Sequence, residues 1–192
     1  MPSSPPAFVV PAPAVVYQLA FDVSQAGYRA WWFPAIGLLC VGVGVALVKR
    51  RELLARKLTI SGAFFVSYGF LGGAILWTGV ALTVTLSDYL TLSGALRRGE
   101  AQVTEGPITE LQSATTEDRV EDRFTVCGVP FNCSDDRVTA GFDQTRARGS
   151  PVREGLWVRI SNLGARIARL EIATAPPAAS TPCRSSGAPA TP

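Results

Sequence analysis

Two apolar runs decide the fold: residues 31–48 (WWFPAIGLLCVGVGVALV) and residues 63–86 (AFFVSYGFLGGAILWTGVALTVTL). No Asp, Glu, Lys or Arg interrupts either run. A hydrocarbon core about 30 Å thick needs roughly 20 predominantly apolar residues at 1.5 Å per residue, which both runs provide. The shorter run reaches across because Trp31, Trp32 and flanking arginines suit the two interfaces. A water-soluble helix of such length carries a polar face, and neither run has one. The expectation is a transmembrane helix hairpin.

Residues 49–62 join the runs and hold Lys49, Arg50, Arg51, Arg56 and Lys57 against one acid, Glu52. Only Arg29 precedes the first run, and Arg97 and Arg98 follow the second. Short loops rich in Lys and Arg stay in the cytoplasm, so both termini are expected on the outer side of a cell inner (plasma) membrane. Attraction of the same cations to anionic lipid leads to the same side.

Small residues mark the helix faces. The first run carries Gly37, Cys40 and Gly44; the second carries Gly69 and Gly73 as a GxxxG pair, with Gly72 beside them. Such residues let backbones approach within lipid, where packing drives association. The other helix of the hairpin is the simplest partner for Gly69 and Gly73. Self-association of two copies is the sharper reading. No ionisable group lies inside either run, so an ion path or proton relay is not expected.

Ahead of the hairpin, residues 1–13 (MPSSPPAFVVPAP) are too proline-rich for a regular helix. They lack the charged n-region and unbroken apolar stretch of a secretory leader. Over residues 14–29, Val15, Val16, Leu19, Val23 and Ala26 follow a helical stripe. An interfacial helix and a structureless lead-in both fit.

Beyond a connector at 87–99, the period changes from helical to alternating. Residues 101–104 and 107–111 read as strands around a turn at Glu105-Gly106, and the charged stretch 113–122 as a solvated loop. Cys127-Gly128 between Phe124-Thr125-Val126 and Val129-Pro130-Phe131 reads as a tight hairpin. Leu156, Val158 and Ile160 alternate, then Ser161 to Gly164 turns, and Ile167, Leu170 or Ile172 follow after a slip. Five or six short strands over 100–172 suggest a small closed or partly closed antiparallel barrel of the OB or SH3-like sort. The expected class is therefore an α+β membrane protein: a two-helix hairpin followed by a β-barrel-like domain. Residues 173–192, mostly Ala, Pro, Ser and Thr, read as a disordered tail.

Composition excludes several kinds of chemistry. The chain has no histidine, which removes the commonest general base and metal ligand. Residues 87–172 hold 13 acidic and 11 basic side chains, too balanced for a phosphate-binding face. Cys127 and Cys133 invite a disulfide, but a turn at Cys127-Gly128 would place Cys133 more than ~10 Å away at roughly 3.3 Å per residue. The hairpin and the bridge exclude one another, and the hairpin is retained. Cys40 reads as a packing residue, and Cys183 is left unassigned. Asp135, Asp136 and Asp143 could be imagined around Ca²⁺, but no EF-hand spacing is present and aspartates at turns usually cap backbone N–H groups. Phe124, Phe131, Phe142 and Trp157 are expected in the core rather than on a stacking face. No phosphate loop, nucleophile elbow or S-x-x-K motif occurs, so no catalytic residue, cofactor or metal is assigned.

The stretch Phe124-Thr-Val-Cys-Gly-Val-Pro-Phe-Asn132, then Thr139-Ala-Gly-Phe142, Gly149-Ser-Pro-Val-Arg-Glu-Gly-Leu156 and Val158-Arg-Ile160, resembles uncharacterised two-span bacterial membrane proteins. These carry F-T-V-N-G-V-x-F, G-F, G-x-P-[IV]-x-E-G-L and V-R-I in a terminal β domain. Cys127 stands where that pattern has the turn asparagine. The resemblance implies a β domain and a bacterial membrane setting, and no activity. Together these features lead to one expectation: a membrane protein displaying a small β domain outside the cytoplasm as a binding module, meeting the lipid bilayer and a protein partner but not nucleic acid. The second reading is an accessory subunit of a larger membrane complex, held through Gly69 and Gly73.

Overall fold

A computed structural model of the protein describes residues 15–50, 60–116, 119–135, 137–175 and 181–186. Two long apolar helices, α2 (Trp32–Lys49) and α3 (Ile60–Arg98), pack side by side and are followed by an antiparallel sheet. Both are long and apolar enough to cross a membrane, and only 17% of each apolar window is buried within the protein. Of the five expected topology cations, Lys49 and Arg50 end α2; Arg51, Arg56 and Lys57 lie outside the described residues.

The contact between the helices differs from the expected one. A Cβ built on Gly37 would lie 2.4 Å from Thr78 Oγ1, and one on Gly44 would lie 3.0 Å from Leu71 Cα. Gly69, Gly72 and Gly73 meet no atom within 4 Å. The buried stripe of α3 is instead Ala63, Ser67, Ala74, Thr78, Ala81 and Thr85, with Leu71 partly buried between them. Those positions recur every three or four residues and are nearly all small, which brings the two backbones together. Thr78 and Thr85 satisfy their hydroxyls on the carbonyls of Ala74 and Ala81, so they enter the seam without an unmet donor.

At 1.5 Å per residue, the 39 residues of α3 span roughly 58 Å, nearly twice a hydrocarbon core. Its last turns therefore continue well past the apolar run that ends at Leu86, and the expected connector is simply more helix. Leu92 and Ala95 are buried, with Leu92 joining the core of the sheet. Gly94 stays helical. Gly99 ends the helix at φ +70°, and the Glu100 N–H closes on the Ala95 carbonyl at 2.9 Å, a glycine cap.

Among the described residues the sheet has seven strands, in the order β1-β6-β5-β2-β3-β4 with β7 on a further edge of β2. In chain order these are β1 (Tyr17–Asp22), β2 (Gln102–Thr116), β3 (Arg119–Val126), β4 (Val129–Ser134), β5 (Trp157–Leu163), β6 (Arg166–Ala173) and β7 (Arg184–Ser185). The sheet is not closed, so a closed barrel is not what forms: β1 and β4 end the strand order without pairing to each other, although Phe142 makes a single bridge to Ile167 on β6.

Three further expectations are revised. The segment before the hairpin is a strand rather than a helix or lead-in: Tyr17 pairs with Ala173 and Asp22 with Arg169, followed by the single-turn helix α1 (Val23–Ala26). Only Phe21, Asp22 and Val23 are buried there, because the pairing supplies the order that local propensity does not. There is no turn at Glu105-Gly106 and no loop over 113–116: β2 runs through both and bends at a bulge near Glu110, which adopts φ +54°. The alternating charges of Arg119 to Arg123 belong to β3.

The Cys127-Gly128 turn is present. Val126 pairs with Val129, and both turn residues have positive φ (53° and 76°), as a two-residue type I′ hairpin requires. The slip in the last hairpin is also present: Ser161 faces Arg169 while Asn162 faces Ile167, leaving Ala168 as an extra residue. This lets Ile167, Ala168 and Leu170 all be buried despite the parity of a regular strand. The core comprises Ile108, Phe124, Val126, Phe131, Phe142, Val158, Ile160 and Leu170 with Leu92 from α3. Trp157 departs from expectation: it lies half-buried outside this cluster and donates to the Tyr17 hydroxyl at 3.2 Å.

Candidate functional site

A polar cleft lies at the junction where the β domain meets the entry to the hairpin. One wall is Arg29 and Trp32 at the start of the hairpin; the other is the loop after β4, with Asp135, Arg137, Asp143 and Arg148. The cleft between them has a volume of about 480 Å³.

Asp88 near the end of α3 fixes this arrangement. Its carboxylate accepts hydrogen bonds from the Ala140 N–H at 2.9 Å, the Thr139 hydroxyl at 3.1 Å and the Arg166 guanidinium of β6. Helix, loop and sheet thus share one anchor. Gly141 permits the close approach, since a Cβ there would meet the Ile167 carbonyl oxygen at 2.8 Å and Leu92 Cδ2 at 3.3 Å.

Two aspartates shape the loop that follows. Asp135 accepts from the Thr145 hydroxyl at 2.8 Å and pairs with Arg148 at 3.3 Å; Asp122 accepts from the Arg146 N–H at 2.5 Å. Capping of backbone groups, expected for aspartates at turns, describes both. Asp143 accepts no such bond among the described residues, and its Oδ1, like that of Asp122, is buried with no hydrogen-bond partner. Burial pushes its carboxyl up to about 6; Arg137 opposes that shift and Asp135 adds to it. Asp136 lies outside the described residues, and among the described residues no three His, Cys, Asp or Glu side chains form a metal-binding group.

Cys133 lies deep in the same region. Burial first, then the Asp143 and Asp122 carboxylates, push its thiol up to about 12, so it is not a thiolate at neutral pH. It is unbridged, as the hairpin geometry requires. Cys127 bonds instead to Cys183, with Cα atoms 5.6 Å apart.

The reason lies along one edge of β2. Where β3 turns away at Cys127, β7 takes over the vacated edge, with Thr104 facing Ser185 and Glu105 facing Arg184. The expectation of a wholly structureless tail is corrected for residues 181–186. The bond rests on Gly106, where a Cβ would lie 2.5 Å and 2.7 Å from the two sulfurs.

A second polar cluster ties the outer face of the sheet. Glu105 on β2 accepts from Tyr17 of β1 and from Arg159 of β5 at 3.2 Å, while Arg159 stacks 4.2 Å over the Tyr17 ring. Burial acts to raise the Glu105 carboxyl, but the Tyr17 and Arg159 contacts outweigh it and hold it below its usual range. Tyr17 rises to about 12 through burial and its bond to Glu105. Every member is partnered, so this cluster is structural.

No family model, curated protein or solved structure matches the chain. The reading of the cleft rests on its geometry. Of the residues at this junction, Asp135 and Asp143 stood out in the sequence as acids near a turn, and Arg29 and Trp32 only as a flanking cation and an interface anchor; Asp88, Arg137 and Arg148 did not stand out. The available signal was weak: an arginine two residues before a tryptophan pair, and an aspartate just past an apolar run.

Proposed function

We propose that the chain is a multi-pass protein of the bacterial inner membrane that holds its β domain outside the cytoplasm as a binding module, with no catalysis of its own. The carrying observation is the Cys127–Cys183 bond within the β domain, because disulfides persist in oxidising compartments. It agrees with the cationic loop 49–62, which the positive-inside rule keeps in the cytoplasm. The apolar, outward-facing surfaces of α2 and α3 support lipid as their surroundings.

The test is thiol counting on protein taken from growing cells. Alkylation with a maleimide mass tag before and after reduction should add two thiols on reduction, and none in a Cys183→Ser variant. A fully reduced Cys127 in cells would move the domain to the cytoplasm.

The second reading is an accessory subunit or homo-oligomer assembled through Gly69 and Gly73. It is favoured by the open space around both glycines. Replacing both by Ile should release the protein from its complex; unchanged assembly would end that reading.

A further inference from the structure

We propose that the cleft between Arg29 and the loop after β4 binds the headgroup of an ethanolamine phospholipid, the phosphate on Arg29 and Arg137 and the ammonium on Asp143. This rests on the reading that the hairpin spans a membrane.

Three observations converge on it. Among the described residues, neither the Arg29 nor the Arg137 guanidinium has a carboxylate at ion-pair distance, whereas Arg148 is engaged with Asp135 at 3.3 Å. Two guanidinium forks facing one cleft suit phosphate oxygens, which they can bind in bidentate fashion. Asp143 lines the same cleft and supplies the complementary charge: it is half-buried, the charges of Arg137 and Arg29 act on it, and its Oδ1 has no hydrogen-bond donor. Finally, Trp32 at the start of α2 lines the cleft and Trp31 precedes it in the chain, both exposed. Tryptophans in such positions lie at headgroup level, so the cleft opens where phospholipid headgroups are found. Its volume of about 480 Å³ lies within the ~300–1,000 Å³ common for small-ligand sites.

Charge chemistry selects among headgroups. A purely anionic headgroup would meet the arginines but leave Asp143 unpartnered and bring more negative charge towards Asp135. A choline headgroup carries no N–H to donate to Asp143 Oδ1. Ethanolamine phosphate satisfies both ends.

The experiment uses the full chain in detergent, with native mass spectrometry to count bound short-chain lipid. Dihexanoyl phosphatidylethanolamine should bind at least tenfold more tightly than the phosphatidylglycerol or phosphatidylcholine equivalents. Arg29→Gln combined with Arg137→Gln should weaken that binding tenfold or more. Asp143→Asn should cut the preference for ethanolamine over choline at least threefold while leaving a folded protein with an unchanged or higher melting temperature. Equal retention of the three lipids, or an Asp143→Asn protein with full preference, would overturn the proposal. Binding of soluble glycerophosphoethanolamine as tight as that of the lipid would overturn the lipid as source. Carbonate extraction separates the two levels of failure: a protein released without detergent refutes the membrane reading, whereas a retained protein without headgroup preference refutes only the cleft.

Discussion

Gly37 of α2 lies against Thr78 of α3 so closely that a Cβ on the glycine would sit 2.4 Å from the threonine hydroxyl. The hairpin closes on this pair and on Gly44 against Leu71. Gly37→Val or Gly44→Val should therefore part the helices, at a cost of about 1–3 kcal/mol or more for overpacking. Gly69→Val should leave the hairpin closed. Disulfide crosslinking between cysteines placed on facing helix positions would read the difference, and equal crosslinking in all three variants would refute this assignment.

The tail bond encloses a long loop, Cys127 and Cys183 being 56 residues apart. Loop-closure entropy alone gives about 4 kcal/mol for a bridge of that span, so Cys183→Ser should lower the melting temperature of the β domain by many degrees. Gly106→Ala should lower it too, because the new methyl group would press on both sulfurs. Hydrogen exchange at Val103, which donates to Ser186, should rise in both variants.

Asp88 holds three donors from two other parts of the chain. Asp88→Ala should leave α3 helical yet free the loop around Ala140. Limited proteolysis near Val138 should be faster in this variant than in the native protein. Arg166→Ala should reproduce part of this effect, since the Thr139 and Ala140 bonds would remain.

Acid should weaken the β1–β6 edge through Asp22. Burial acts to raise this carboxyl, but hydrogen bonds from Arg169 and the Ser24 N–H outweigh it and hold it below its usual range. A depressed carboxyl contributes stability above its unfolded pKa of ~3.9 and loses it as pH falls towards the folded value. The stability gap between native protein and Asp22→Asn should thus be full at pH 7 and shrink below pH ~4.

Asp143 works in the opposite direction. Its carboxyl is pushed up to about 6, so its ionised form is disfavoured in the fold. The native state binds more protons than the unfolded chain between pH ~4 and ~6, and stability falls as pH rises through that window. Asp143→Asn should be the more stable protein at pH 7, with the advantage vanishing by pH ~4. Melting curves of both proteins across that range would decide, and a destabilised variant at pH 7 would contradict the assignment.

Hydropathy and turn chemistry are local properties, and what they control was legible in the chain itself. The two apolar helices, the Cys127-Gly128 hairpin and the slipped final hairpin follow from residues within a few positions of one another. The cleft was legible only in fragments, because its walls come from residues over a hundred positions apart, such as Arg29 and Asp143. Tertiary structure alone decided that Tyr17 to Asp22 would be a strand, since its pairing partner is β6 at the far end of the chain. It likewise decided which glycines meet a neighbouring helix, a matter of relative rotation on which composition is silent. Cys127 found Cys183 rather than the nearer Cys133 because β2 offers one continuous edge, on which β7 begins where β3 turns away.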